Sequence, residues 1–263
     1  MQKFFVLLQK ELVENWKTWK IALVFIVCIA LGLIIPFMTD GSYIGDPLVN
    51  PLQSRFIVYN YTYYLSMGLV MLIPFVLMST VAKEVKDGLA AAILVKPVGR
   101  GAYILSKFLV AFTIFALAIT ASLFICYYYA LEVTKLYDPD PVTMELLLKM
   151  LGFILLYVAF ALSMTLFIST MTRNNVVAGA ISMVLLVALF GLSFEGNVRQ
   201  YLPSEIVRWG QELVYPNIFP GLTNQLGSSR YITSPYWIAL WGNVGGILLF
   251  ISSAILVIRN KEI

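Results

Sequence analysis

The sequence contains no histidine, and only 12% of its 263 residues are charged. The first absence removes every mechanism that needs an imidazole, among them a Ser-His dyad, an HExxH zinc site and bis-His haem ligation. The second rules out a water-soluble domain, for which about 25% charged residues are expected. The 18 basic and 14 acidic side chains are too few to cover the surface of so long a chain. Cysteine is scarce too. Cys28 and Cys126 both fall within long apolar runs and read as small hydrophobes, not as a disulfide, a redox pair or a metal site. A GxxxxGK[ST] segment is also missing, so the chain has no P-loop with which to cradle nucleotide phosphates.

What the chain has in excess is apolar surface: 60% of its residues are hydrophobic and its mean hydropathy is +0.86. Six uncharged stretches, Ile21–Met38, Tyr63–Ala82, Phe108–Leu131, Met150–Met171, Val176–Phe194 and Tyr236–Ile258, are long enough to cross about 30 Å of hydrocarbon at ~1.5 Å per helical residue. Their continuity favours helices over barrel strands, which alternate polar and apolar over about ten residues. The expected fold is therefore an all-α integral membrane protein: one six-span domain over residues 1–263, with an interfacial helix over 1–20 and a further short amphipathic or re-entrant helix between spans 5 and 6. No Lys, Arg, Asp or Glu lies within these six stretches. Gradient-driven carriers and voltage sensors place ionisable groups at membrane depth, so both are disfavoured. A channel built on backbone carbonyls, and a scaffold or anchor with no transport path, stay open as alternatives.

The first apolar run is too long for a signal peptide, and Thr39-Asp40-Gly41-Ser42 after it offers no small-x-small cleavage site, so it is expected to remain as an anchor. With the amino terminus inside, twelve of the eighteen Lys and Arg fall on the inner side, against five of the fourteen acidic residues. The positive-inside rule then places both termini in the cytoplasm. Residues 1–20 gather Phe4, Phe5, Leu8, Leu12, Trp16 and Trp19 near one helical face with lysines largely elsewhere, the pattern of a helix lying in the interface. The outside segment 39–62 has turn-forming Gly41, Gly45, Pro47 and Pro51, followed by Phe56, Tyr59 and Tyr61, which suit an aromatic belt at the membrane surface. The outside segment 195–235 carries Ile206, Trp209, Gly210, Leu213 and Val214 at helical spacing between Pro203 and Pro216, predicting a short amphipathic helix there. In the spans, Gly179, Ala180 and Ser182, and Gly242 with Gly246, are small residues suited to close helix packing.

The one sizeable inner loop, residues 83–101, has an ordered logic. A charged turn, Lys83 to Asp87, ends at Gly88; Leu89–Val95 is a short apolar helical segment; Pro97, Gly99 and Gly101 then force a break before the next span. A two-turn apolar helix framed by charge needs a surface to cover it, either lipid headgroups or a groove on a soluble protein.

Glu84, Asp87-Gly88, Leu94, Lys96-Pro97-Val98, Arg100 and Lys107 resemble the first cytoplasmic loop of ABC-2 type transporter permeases, and Lys10-Glu11-Leu12 before the first span is similar to the same family. Leu89 departs from the pattern, which often has a small hydroxyl residue there. The resemblance implies a permease working as a homodimer or heterodimer, each half bound to a separate cytoplasmic ATPase that carries ATP and Mg; no cofactor and no nucleic acid is expected on this chain. It further implies that residues 85–98 form the coupling helix, with Glu84, Lys86, Asp87, Lys96 and Arg100 as polar contacts around an apolar plug of Leu89, Ile93 and Leu94, and Pro97 ending it. A path without fixed charges in a cell membrane points to export of lipidic, peptidic or other amphiphilic cargo, powered by the partner.

Overall fold

An apolar run in hydrocarbon must satisfy its backbone from within, so each long run closes its own hydrogen-bond ladder. The computed structural model describes residues 2–42, 54–78, 80–87, 99–135, 138, 141–172, 174–192, 201–214 and 236–260. Among them are nine helices and no strand: α1 (Gln2–Lys17), α2 (Lys20–Ser42), α3 (Ser54–Leu77), α4 (Ala82–Lys86), α5 (Arg100–Thr134), α6 (Met144–Met171), α7 (Asn175–Leu192), α8 (Glu205–Val214) and α9 (Tyr236–Asn260). Helices α2, α3 continued by α4, α5, α6, α7 and α9 are the six long and apolar enough to cross a membrane.

Most of these helices outrun the uncharged stretches that predict them, because the ladder does not stop where charge begins. α5 starts at Arg100 instead of Phe108, and so carries Tyr103 and Lys107 one turn apart on one face. α6 starts at Met144, where the Thr143 hydroxyl accepts the Leu146 N–H at 3.4 Å as a cap. α3 starts at Ser54, which corrects the reading of 39–62 as a turn-rich segment: its second part, with Phe56, Tyr59 and Tyr61, is the first turns of a span. Tyr61 is consequently interior. Its hydroxyl donates to Ser122 Oγ of α5 at 2.7 Å, and Ser122 donates to the Cys28 carbonyl of α2, so three spans meet on one polar contact at a depth where few such bonds exist.

The centre of the bundle is α3, α5 and α6. α6 packs on α9, α8, α3, α5 and α7, while α2 and α1 lie along α5. α2, α7 and α9 are the outer spans, and α7 leaves Val176, Val184 and Val187 exposed while only Ala178, Gly179, Ser182 and Leu186 face inward. The small residues divide by face: a Cβ on Gly179 would come within 3.0 Å of Met78, and one on Gly246 within 2.5 Å of the Phe160 ring, whereas Gly242 faces open space. The pair at 242 and 246 is therefore half an intrachain packing site.

Two details set up the site. α1 and α2 join at an elbow where Trp19 adopts a left-handed backbone, φ 58°, and its N–H donates to the Trp16 carbonyl at 3.1 Å. A non-glycine residue there costs about 1–2 kcal/mol. At the other end of the loop's lead-in, α3 stops at Leu77 and α4 restarts at Ala82, with the Val81 and Ala82 N–H groups donated to Ser169 Oγ of α6 at 3.4 and 3.1 Å. The predicted helix between spans 5 and 6 is α8. It lays Ile206, Val207 and Gly210 inward, with Gly210 close against Met150 and Phe153 of α6, and the Asn243 amide of α9 donates to the Pro203 carbonyl at 3.1 Å.

Candidate functional site: a buried charge cluster

With so few charges in the chain, those that leave the surface are informative. Glu11 of α1, Glu84 of α4 and Lys107 of α5 are each no more than 3% exposed. An ionised group in such surroundings persists only if it is paired and hydrogen-bonded. Lys107 Nζ lies 2.9 Å from Glu11 Oε1 and 3.0 Å from Glu84 Oε2, bridging two carboxylates that come from elements distant in sequence. Lys10 Nζ meets the other Glu84 oxygen, Oε1, at 2.7 Å and stands 3.6 Å from both Glu11 and Glu14. The Tyr103 hydroxyl donates to Glu84 Oε2, and its ring lies 5.1 Å from the Lys107 ammonium, close enough for a cation–π contact.

Each side chain is delivered by local structure. Leu7 and Glu11 are one turn apart on the inner face of α1, as Tyr103 and Lys107 are on α5; Glu84 sits in the middle of the short helix that Ser169 starts. Two lysines, Lys10 and Lys107, face the two buried acids. Burial works against the Lys10 charge, but the Glu84 hydrogen bond and field outweigh it and hold its ammonium above the ordinary lysine value. The carboxylates of Glu11, Glu14 and Glu84 are near enough to share a metal ion, yet the two lysine ammonium groups already stand between them. Towards the spans the cluster borders a small cleft bounded by Asn15, Lys20, Leu77, Thr80 and Ala111, with room for about one water. Nothing in this arrangement pairs a nucleophile with a base. Its chemistry is that of a clamp, and removing one member of such a set typically costs about 3–5 kcal/mol.

The residues of the predicted coupling segment separate into three groups. Glu84 is in the clamp, its carboxylate turned into the domain. Lys86 and Asp87 are exposed at the end of α4, and Arg100, exposed at the start of α5, donates from Nη1 to the Ile258 carbonyl at 3.3 Å and to the Arg259 carbonyl, at the end of α9. Leu89, Ile93, Leu94, Lys96 and Pro97 lie outside the described residues. Glu11, Lys107 and Tyr103 were not among the predicted site residues. The available signal was that Glu11 and Lys107 stand among the residues that carry the family resemblance, that Glu11 sits one turn from Leu7, and that Lys107 directly precedes an apolar run.

An all-helical domain with six apolar spans, tied together at one rim by buried charge and carrying no reacting constellation among the described residues, belongs to the multi-pass membrane proteins. A family model described as ABC-2 type transporter matches residues 2–217, and the chain belongs to that family. It is thus a permease subunit of an ABC transporter, a transport component that is not itself catalytic. It is also similar to an "Uncharacterized transmembrane protein YxlG" of Bacillus subtilis (strain 168), 28% identical over 229 residues that cover 81% of this chain and 86% of the relative.

Proposed function

We propose that this permease subunit is driven by a separate ATP-binding cassette ATPase, which supplies ATP and Mg and docks on the 83–101 loop, and that it exports lipidic, peptidic or other amphiphilic cargo. Two copies, or one copy and a related permease, form the transport unit in the plasma or inner membrane, with both termini cytoplasmic. The observation that carries this reading is the clamp: the root of the loop is held by buried ion pairs to two other elements, an arrangement suited to receiving force. Charge placement supports the orientation, with twelve of eighteen basic residues on the proposed inner side. The absence of charge from the six apolar stretches supports an amphiphilic cargo and an external energy source.

The test is co-purification with an ATPase subunit and measurement of its turnover in liposomes. Ile93→Asp with Leu94→Asp, which puts charge into the proposed plug, is expected to abolish both retention of the ATPase and turnover stimulated by the permease. Normal assembly and turnover in that variant would refute docking through this loop.

A further inference from the structure

We propose that Lys107 is a positioning residue that makes α1, the root of the 83–101 loop and α5 one mechanical unit, so that displacement of the loop moves spans 1 and 3 together. The inference rests on the reading of that loop as the point where the ATPase acts.

The geometry is asymmetric in a way that identifies the lysine. Glu84 has three partners: Lys107 at 3.0 Å, Lys10 at 2.7 Å and the Tyr103 hydroxyl. Lys107 stands 2.9 Å from Glu11, with Lys10 at 3.6 Å and itself partly exposed, and Lys20 of α2 adds its field from across the cleft. Without the Lys107 ammonium, Glu11 is a buried carboxylate that has lost its 2.9 Å ion pair, which is strongly unfavourable. Its cheapest escape is to move α1 outwards, because among the described residues Phe5, Leu12 and Trp16 on the outer face of α1 are exposed. Glu84 still ties α4 to α1 through Lys10 and to α5 through the Tyr103 hydroxyl, while Ser169 holds the start of α4 on α6. Lys107 is therefore the direct polar tie between α1 and α5, and its loss leaves the indirect one by way of Glu84. As α1 runs into α2 through the Trp19 elbow, the intact clamp links the loop to span 1 by way of α1 and to span 3 by way of Lys107.

The experiment uses the full chain in complex with its ATPase, reconstituted in liposomes with magnesium ATP. Spin labels on exposed positions Lys17 (α1), Lys83 (α4) and Leu105 (α5) report two distances, α1 to α4 and α1 to α5. In Lys107→Met the α1–α5 distance is expected to broaden while the α1–α4 distance stays narrow. The ATPase remains bound, but its turnover falls about tenfold, within the usual range of coupling between sites. Lys107→Arg keeps a cation between Glu11 and Glu84 and should retain both the narrow distance and the turnover. A narrow α1–α5 distance with normal turnover in Lys107→Met overturns the proposal. So does a Lys107→Arg variant that behaves like Lys107→Met, for then the charge at this position is not what joins the helices. Loss of the ATPase from Lys107→Met would also overturn it, since the residue would then be acting on docking. Should Lys107→Met fail to fold, Glu11→Gln removes only the α1 carboxylate, and unchanged distance and turnover there are equally fatal. If the unmodified chain retains no ATPase, the docking reading fails on its own, and the label distances still decide whether Lys107 joins the three helices.

Discussion

Placing a methyl group on Gly32 tests the tightest interhelical approach among the described spans whose obstacle is backbone. A Cβ there would lie 2.5 Å from Ser122 Oγ and 2.8 Å from the Ser122 carbonyl oxygen, where ordinary contacts begin at 3.4 Å. The hydroxyl can rotate away, but the carbonyl is fixed in the α5 ladder, so α2 and α5 must separate by more than half an ångström. Gly246 is different, since the obstacle there is the Phe160 ring, which can turn. Overpacking of this kind costs about 1–3 kcal/mol. Separation also stretches the Ser122 bond to the Cys28 carbonyl and disturbs the bond from Tyr61, at about 0.6 kcal/mol for an average interhelical bond in a membrane. Against this, alanine gains about 1 kcal/mol of helix propensity over glycine. The net expectation for Gly32→Ala is a loss of about 1–3 kcal/mol, read as a Tm several degrees lower in detergent. Gly242→Ala, where a Cβ meets nothing within 4 Å, gains the propensity and meets no obstacle. Ser122→Ala should fall between them, because it loses the two hydrogen bonds of the hydroxyl without adding a clash. If Gly32→Ala melts at or above the temperature of Gly242→Ala, the close approach is not a constraint and the reasoning fails.

Ser169→Ala removes the acceptor for the Val81 and Ala82 N–H groups and is expected to cost about 1–3 kcal/mol, seen as faster hydrogen exchange over residues 80–87 with the spans unchanged. Unaltered exchange there would show that α4 starts without that acceptor. A third expectation follows from Lys10, whose pKa is raised in the fold. Its contribution is complete below the ordinary lysine value of 10.5 and is lost as pH rises through the higher folded value, so alkaline titration should loosen α1. Fluorescence of Trp16 and Trp19 reports this, and Glu84→Gln, which removes the charge that raises the Lys10 pKa, should move the transition to lower pH.

The spans were legible because hydrocarbon imposes a length and a composition, and nothing else in the chain competes with them. Their ends were not, since hydropathy stops at the first charge whereas the hydrogen-bond ladder continues into the interfacial region. That single difference explains Tyr61. Read as belonging to the outside segment, it looks like an interfacial aromatic; with α3 beginning at Ser54 it is two turns inside a helix, facing Ser122. The amphipathic helix α8 was legible from its periodicity, while its covering by Met150 and Phe153 was not, because a pattern of apolar positions names a face and leaves the partner open. The spacing of Gly242 and Gly246 likewise announced close packing without saying that, among the described residues, the second glycine alone finds a neighbour.

The clamp was the least legible feature, for a physical reason. A lysine beside an apolar run ordinarily snorkels to water, and hydropathy gives Lys107 the same surroundings as Lys20 or Lys83, while the family resemblance that marks it names no partner for it. What separates them is that α5 runs on to Arg100, placing Lys107 two turns inside a helix against which α1 and α4 both pack or abut. From there its ammonium cannot reach water without breaking helix contacts, and only carboxylates from other elements can compensate it. Apolar helix contacts in a bilayer slide at little cost, because lipid tails are as apolar as the side chains they replace. Ion pairs and hydrogen bonds do not. The ties in this chain recur at three levels along the same helices: Glu11, Glu84 and Lys107 at the rim, Tyr61, Ser122 and the Cys28 carbonyl in the spans, and Ser54 at the start of α3, whose N–H and hydroxyl both bond Asp138, at 2.7 and 2.6 Å. A force applied at the loop root therefore meets least resistance by tilting α1 to α5 as a body, since bending α3 or α5 alone would break ties at two levels.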